Sequence, residues 1–147
     1  ATVLLGNHRA QVREARPLAT ALADVVRRDR EVDAVRLPAD VAASAAQRGY
    51  LPAGVPILKR IGAVALQSVC VRDHVVRIDG AAVATTRTHD GAHRPLPAWT
   101  PCRPLAEGEL FLLSDTHPAS FDTRYFGPIA ASTVLGVAQP LWTWSAP

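Results

Sequence analysis

The sequence predicts one mainly β domain built from antiparallel strands, with Ala-rich helices in its N-terminal third. Three observations support this fold class. The 147 residues are enough for one domain with a single core. From Ile57 onward, many of the apolar residues are β-branched and occur in short runs. The dipeptide Asp79-Gly80 stands between two of these runs and is typical of a β-hairpin turn.

The N-terminal third is predicted to be largely helical. Residues 8–31 are expected to form a helix with an Arg-rich exposed face, followed by a short strand over 32–37. Ala-rich residues 39–48 predict a second helix, which begins after Pro38 and ends at Gly49. The apolar residues of the first helix recur at the three- to four-residue spacing of one helix face: Leu18, Leu22, Val25 and Val26.

The rest of the chain is predicted to consist of strands and loops. Prolines and a glycine make 50–56 a loop, four prolines make 88–104 a second loop, and 114–127 is a polar segment. Pro140 is expected to break the last strand. The predicted strands share short length and apolar content: 57–66, 69–72, 75–78, 81–86, 109–113 and 133–144.

Composition excludes several classes of protein. The apolar runs fall short of the roughly 20 residues that a membrane helix needs, and Arg9 ends the first apolar run too early for a cleavable signal. The net charge of +3 is spread along the chain without a basic block, so no nucleic-acid partner is expected.

Lys59 is the single lysine among 16 basic residues, the others being arginines. An amine that must lose its proton cannot be replaced by a guanidinium, which keeps its proton in proteins. Strand alternation places Lys59 and Ile61 on one face. On a core face, the lysine would be desolvated and would act as a general base. The alternatives are a chance lysine in an Arg-rich chain and an edge-strand lysine that extends to water.

The polar segment 114–127 contains hydroxyls, two carboxylates, a histidine and an arginine between apolar neighbours. Asp122 and Arg124 are two residues apart, so they are expected to pair with each other or with backbone groups. The alternative interpretation is a cluster of polar side chains that stabilises turns and has no catalytic role.

Two stretches of the chain match a known family: RGYLPAGVPILKRI (48–61) and LLSDTHPASFDTRYFGP (112–128). With RLP at 36–38 and PLWTW at 140–144, they make the chain resemble the conjugal-transfer signal peptidases, the TraF-type branch of the S26 signal peptidases. The resemblance implies a signal-peptidase-like antiparallel β-sheet core over 32–147. It leaves 1–31 as an N-terminal helical segment that is unmatched to the family.

The resemblance also implies roles for individual residues. Signal peptidases of this type use a serine nucleophile and a lysine general base, and Lys59 matches that base. Ser120 matches the serine that orients the lysine amine, and Asp122 and Arg124 match a structural pair. The small residue and the aspartate that open the same segment are matched by two neighbours: Ser114 and Asp115.

No serine matches the family's nucleophile. In the family it lies well before the lysine, in a region that here is residues 6–17 and contains no serine. Ser44, the first serine of the chain, matches no nucleophile motif. Two interpretations remain open, so whether this chain is an enzyme stays open as well. Either the front segment of an active serine endopeptidase is altered, or the chain is an inactive relative that binds peptides.

The resemblance implies a substrate, a location and a disulfide. The substrate is a leader peptide of an exported protein, such as a conjugative pilin precursor, and the location is the periplasmic face of the bacterial inner membrane. The membrane surface is a further expected partner, although the membrane anchor of the family is absent from this chain. Cys70 and Cys102 are expected to form a disulfide, with two free thiols as the alternative. His74 and His93 lack metal-ligand spacing beside these cysteines, so neither a metal nor another cofactor is expected.

Overall fold

The structure is a computed structural model that describes residues 2–5, 8–14, 32–114 and 120–143. Two helices and a 3₁₀ turn occur in this part of the chain: α1 (Ala39–Gln47), α2 (Thr123–Phe126) and the turn Ala131–Thr133. The strands of the same part are β1 (Thr2–Leu5), β2 (His8–Glu14), β3 (Val32–Val35), β4 (Ile57–Ala63), β5 (Ser68–Arg72), β6 (Val75–Ile78), β7 (Ala81–Thr85), β8 (Cys102–Pro104), β9 (Glu109–Leu113), β10 (Ile129–Ala130) and β11 (Val134–Thr143).

These strands form two antiparallel sheets. The larger sheet has the order β1-β2-β11-β3-β4-β9-β10, and the smaller has the order β7-β6-β5-β8. The prediction of a mainly β, antiparallel fold is therefore confirmed. Strand β11, late in the sequence, lies inside the large sheet and pairs with β2 on one side and β3 on the other. No helix of the described residues is long and apolar enough to cross a bilayer.

The small sheet is built on the predicted hairpin. Asp79 and Gly80 both have positive φ, 49° and 85°, which is the backbone twist that a tight two-residue hairpin turn requires. Strands β6 and β7 pair directly on either side of this turn. The Asp79 carboxylate accepts a hydrogen bond from the Ser68 amide at 2.9 Å, so the turn is also fastened to the start of β5.

Strand β9 joins the two parts of the core because alternate residues face opposite sides of a strand. Phe111 is fully buried against one apolar cluster, and Leu110 and Leu112 belong to another. The first cluster includes residues of the small sheet: Val69, Val71, Val76 and Ile78. The second cluster lies on the large sheet and includes Val35 and Ile129. Lys59 lies on β4, next to β9 in this sheet.

Arg103 and Glu109 connect β8 of the small sheet to β9 of the large sheet. The Arg103 guanidinium donates two hydrogen bonds to the Glu109 carboxylate, at 2.8 and 2.9 Å. These bonds lower the pKa of Glu109 to about 2. An isolated glutamate has a pKa near 4.3, so the pair stabilises the fold above that value and loses its effect as pH falls through about 2.

We expect Glu109→Gln to lower the free energy of unfolding at pH 7 by about 1 kcal/mol or less, because the pair is partly exposed. At pH 2 the difference from the unaltered protein should be smaller. Urea unfolding at both pH values measures it. An equal loss of unfolding free energy at pH 2 and pH 7 would contradict a stabilising ion pair between Arg103 and Glu109.

The helix predicted over 8–31 is wrong in its first part, because His8–Glu14 forms strand β2. Ala10 and Val12 alternate with polar residues, so this stretch also has the two-residue period of a strand. Pairing with β1 and β11 satisfies its backbone groups on both sides. Residues 15–31 lie outside the described residues, and the division of the chain at residue 31 stays a prediction.

The other predicted elements agree with the structure within a few residues, with two exceptions. Pro140 does not break the last strand: β11 continues past it, and a register shift between Pro140 and Trp142 accommodates the missing amide hydrogen. The predicted loop 88–104 ends in strand β8, which pairs with β5. That pairing places Cys70 directly opposite Cys102, and a disulfide joins them with their Cα atoms 4.0 Å apart.

Candidate active site

Lys59 lies near the middle of strand β4, between Ile57 and Ile61, which pack against the second apolar cluster. Alternation along the strand directs Lys59 to this same face. Its side chain is half-buried, and its Nζ lies 2.6 Å from the Oγ of Ser120. The structure therefore brings together the lysine and the serine that the sequence predicted as base and orienting hydroxyl.

Burial lowers the pKa of the Lys59 ammonium below its ordinary value. The negative charge of Asp122 opposes this shift, and the positive charge of Arg124 adds to it. Desolvation disfavours the charged form of an amine. The consequence is an amine that is more easily available in its neutral form, which is the form that accepts a proton.

Asp122 and Arg124, two and four residues after Ser120, form a buried ion pair. One oxygen of the Asp122 carboxylate accepts from the Arg124 Nε at 2.8 Å, and the other accepts from the Arg124 Nη2 at 2.8 Å. Asp122 also begins helix α2, since its side chain accepts from the Arg124 amide at 3.0 Å. The Ser114 amide donates to the same carboxylate at 3.1 Å, so the start of the polar segment is bonded to Asp122.

Arg124 also holds the backbone around the site. Its guanidinium donates to the carbonyl of Ser120 at 3.1 Å and to the carbonyl of Thr85 at 2.8 Å. The first bond fixes the main chain that presents the Ser120 hydroxyl to Lys59. The second ties this segment to the end of strand β7. The pair is therefore structural: it positions Ser120 and is not itself at the cleft surface.

Thr123 is a site-supporting residue that the sequence did not single out. Its hydroxyl accepts from the Leu112 amide at 2.8 Å and donates to the Leu112 carbonyl at 2.5 Å. These bonds attach α2 to strand β9 and so set the distance between Ser120 and β4. Thr123 is fully buried. The sequence shows only a threonine between an aspartate and an arginine, and many threonines in turns look the same.

A cleft of about 500 Å³ opens beside Lys59 and Ser120. Part of its lining comes from the end of α1 and the loop after it, and part from the loop 87–96. Phe121 and Tyr125 stack at the end nearest Ser120, with ring centroids 5.9 Å apart. The apolar lining residues are Leu37, Ala45, Leu51, Ile57, Leu58 and Leu96. The lining also includes Lys59 and Ser120 and further polar residues from the loop 87–96. A mostly apolar cleft of this kind suits a largely apolar peptide segment.

The remaining predicted site residues lie apart from Lys59 or outside the described part. The disulfide of Cys70 and Cys102 is in the small sheet. Ser114 reaches the site through its backbone amide, by way of Asp122. Asp115 lies outside the described residues, so its predicted supporting role stays a prediction.

The segment in which the family's nucleophile was expected includes strand β2. Across the large sheet, Arg13 is opposite Val137, Val137 is opposite Asp33, and Asp33 is opposite Lys59. Neighbouring strands are about 4.8 Å apart, so the β2 backbone lies about 14 Å from that of Lys59. Of the serine hydroxyls in the described residues, that of Ser120 is bonded to the lysine amine.

Comparison with known proteins gives the family. The model of the family "Signal peptidase, peptidase S26" matches residues 22–144. The plasmid transfer protein TraF of Escherichia coli is 37% identical over 109 residues, which are 68% of this chain and 61% of that protein. The conjugal transfer protein TraF of Agrobacterium fabrum is 35% identical over 108 residues, which are 66% of this chain and 58% of that protein.

A solved structure is also similar. It is a signal peptidase I from Enterococcus faecalis, with a TM-score of 0.41 and 18% identity, and the match covers 86% of this chain and 98% of that chain. The chain spans about three fifths of the length of the curated relatives it matches, 61% for the Escherichia coli protein and 58% for the Agrobacterium fabrum protein. The match of the family model covers most of the sequence, including Lys59 and the polar segment with Ser120. This chain therefore belongs to the signal peptidase family, peptidase S26.

Proposed function

We propose that the cleft binds leader peptides of exported proteins and that Lys59 is the general base of a Ser–Lys endopeptidase site. The observation that supports this proposal is the 2.6 Å contact between the Lys59 amine and the Ser120 hydroxyl, which both line a largely apolar cleft. A partly buried lysine with a lowered pKa is chemically suited to take a proton from a hydroxyl.

The proposed reaction proceeds in two steps. A serine hydroxyl attacks the scissile carbonyl while Lys59 Nζ takes its proton, and an O–C bond forms. The tetrahedral intermediate collapses when the C–N bond breaks and Lys59 returns the proton to the leaving amine. Water then attacks the acyl ester, again with Lys59 as base, which releases the leader and restores the serine. The Ser120 hydroxyl keeps the amine oriented in both steps.

The substrate class follows from the cleft and from the relatives. Apolar walls favour an uncharged peptide segment over a charged one. Two of the similar proteins are described as plasmid transfer and conjugal transfer proteins. We therefore favour a conjugative pilin precursor as substrate, at the periplasmic face of the inner membrane and close to the membrane surface.

The alternative is a binding module without catalysis. Its support is the absence of a serine from residues 6–17, where the family's nucleophile was expected. A module of this kind would keep the cleft and the Lys59–Ser120 pair, bind leader peptides and leave them intact. The two functions share a ligand, so binding and cleavage must be measured separately.

We expect the unaltered chain to bind an Ala-rich leader peptide and to cleave it at least about a thousandfold more slowly than a chain with a restored nucleophile, because the covalent step is missing. The restored chain has residues 6–31 replaced by the serine-containing segment of a relative. Fluorescence anisotropy measures binding, and mass spectrometry of the products measures cleavage.

Labelling with a fluorophosphonate, followed by peptide mapping, identifies the reactive serine in each chain. If the unaltered chain cleaves at the full rate and the label is on Ser120 or Ser44, the endopeptidase proposal stands with that residue as nucleophile. If neither chain binds the leader peptide, both the endopeptidase and the binding module are excluded. Binding without cleavage by either chain leaves the binding module alone.

A further inference from the structure

A second polar cluster contributes residues to the lining of the same cleft, and the proposed chemistry does not use it. We call it the Asp90 cluster, and it consists of Arg48, Tyr50, Asp90 and Arg94. One oxygen of Asp90 accepts from the Tyr50 hydroxyl at 2.5 Å and from the Arg94 Nε at 2.9 Å. The other oxygen accepts from the amides of Ala92 and Arg94, both at 2.9 Å. All four donors point at one carboxylate.

The cluster joins two loops that are far apart in sequence. Besides the Tyr50–Asp90 bond, the Arg94 guanidinium donates to the Arg48 carbonyl at 2.7 Å. The guanidinium groups of Arg48 and Arg94 both lie over the Tyr50 ring, 6.0 and 5.7 Å from its centroid. The Asp90 side chain is only 6% exposed. Loss of any one of these hydrogen bonds is expected to destabilise the protein, because it leaves a buried polar group without its partner.

Local structure prepares both loops for this contact. Gly49 follows the end of helix α1 with a φ of 70°, and the Tyr50 amide donates to the Ala45 carbonyl at 2.9 Å, which fixes the direction of Tyr50. The loop 87–96 is closed by the bridge between His89 and Pro95. The Asp90 amide also donates to the Arg94 carbonyl at 2.9 Å, so the carboxylate projects from a tight turn.

The cluster also contacts the reactive end of the cleft. The Tyr50 ring packs on Phe121 with centroids 5.1 Å apart, and Phe121 follows Ser120 in the sequence. Tyr50, Asp90 and Leu96 all line the same cleft as Lys59. One wall of the cleft therefore depends on a carboxylate that is far from Lys59 along the chain.

We propose that Asp90 is a positioning residue for the peptide: it holds the loop 87–96 and Tyr50 as a preformed wall of the cleft, against which the leader peptide binds. This inference uses the proposed peptide-binding role of the cleft, but it does not require that the bound peptide is cleaved. A wall that is fixed before binding avoids the entropy cost of ordering a loop around the ligand. The ligand class is an extended, largely apolar peptide.

The charge of the cluster is maintained at physiological pH. Hydrogen bonding from Tyr50, with further bonds from Arg94 and Ala92, holds the pKa of Asp90 well below its usual range. The ionic partners of Asp90 are both cationic: Arg48 from the end of α1 and Arg94 from the same loop. Arg87 and His89 line the same cleft. Replacement of the Asp90 carboxylate by a neutral group of the same size is therefore the most direct test of the cluster.

The test is Asp90→Asn, with Tyr50→Phe as the milder variant. Asparagine presents an NH₂ group in place of one oxygen, so it faces two donors in either orientation and breaks half of the cluster. Tyr50→Phe removes the hydrogen bond that the hydroxyl donates to Asp90 and the longer one, 3.4 Å, that it accepts from Arg48, and it keeps the ring on Phe121. The matched control is Asp79→Asn, a change of the same size in the β6–β7 turn, where Asn-Gly suits the backbone.

We expect Asp90→Asn to weaken binding of an Ala-rich leader peptide by about tenfold and Tyr50→Phe by about threefold. Asp79→Asn should leave the Kd unchanged. Hydrogen exchange of the amides in 88–96 should become faster in Asp90→Asn and not in the control. Fluorescence anisotropy and exchange mass spectrometry give the two measurements. If Asp90→Asn fails to fold, the Kd and the hydrogen exchange are measured on Tyr50→Phe instead.

An unchanged Kd in the folded variants overturns the inference, and so does unchanged exchange in 88–96. An unaltered chain that binds the leader peptide without cleaving it leaves the inference standing and removes only the endopeptidase function. An unaltered chain that does not bind the leader peptide overturns both. The failure of the positioning role and the failure of the proposed enzyme are therefore distinguishable.

Discussion

Arg124→Met is expected to lower the free energy of unfolding by about 3–5 kcal/mol at pH 7. Asp122 and Arg124 are 0% and 3% exposed, so removal of the guanidinium leaves a carboxylate buried without its counter-charge. The carbonyls of Thr85 and Ser120 lose a donor at the same time. Urea unfolding, followed by tryptophan fluorescence, measures the change.

Two further variants test the cause of this loss. In the double variant Asp122→Asn with Arg124→Met, no charge remains buried, so part of the lost stability should return. Arg103→Met removes a guanidinium of the same kind from a partly exposed pair and should cost about 1 kcal/mol or less. If Arg124→Met costs no more than Arg103→Met, the ion pair does not hold the fold as described.

Lys59→Met is expected to reduce leader cleavage at least about a thousandfold in the chain with a restored nucleophile. Methionine has a similar shape but no amine, so it cannot accept the proton. The Kd for the leader peptide should change little, because the cleft keeps its walls. The free energy of unfolding should stay the same or rise, since a partly buried ammonium no longer has to be desolvated. Cleavage kinetics and urea unfolding give these quantities.

Lys59→Arg separates the base from the charge. A guanidinium keeps the positive charge and does not lose its proton, so this variant should be as inactive as Lys59→Met. Full cleavage by Lys59→Arg would contradict the role of Lys59 as base. It would show that only a positive charge is needed at this position.

The pH dependence of leader cleavage and of the free energy of unfolding follows from the lowered pKa of Lys59. Cleavage should increase as pH rises through that pKa, at values below the 10.4 of an ordinary lysine, because the neutral amine is the base. The unfolded chain keeps the ordinary pKa, so the charged lysine opposes folding at low pH. This cost disappears as pH rises from the folded to the unfolded pKa. Both trends should be absent from Lys59→Met.

Local sequence patterns were sufficient to predict strands β4, β6 and β9 and helix α1, because each has a clear period and a clear stop. They were insufficient for β2. Its alternating residues form a strand only because β11 pairs with it, and that partner comes from the far end of the described chain. A helix was the better local prediction, and long-range pairing overrode it.

The Lys59–Ser120 pair could be anticipated because one lysine among 15 arginines and a Ser-x-Asp-x-Arg segment both stand out in the sequence. The Asp90 cluster could not. Asp90-Gly91 looks like an ordinary turn, and Tyr50 looks like a loop residue after a helix. Their contact depends on how the loop 87–96 packs against the residues that follow α1, and no local sequence pattern predicts that packing.

The position of β11 has a consequence for how the chain folds during synthesis. Gly136 pairs with Glu14 on one side and with Ala34 on the other, so in the described part of the chain β2 and β3 are joined through a strand that is synthesised long after both. Until then, β2 and β3 each have an edge without a partner, and such edges favour pairing with other chains. The many contacts between distant residues also slow folding. A nascent chain of this protein therefore depends on protection from aggregation until β11 has left the ribosome.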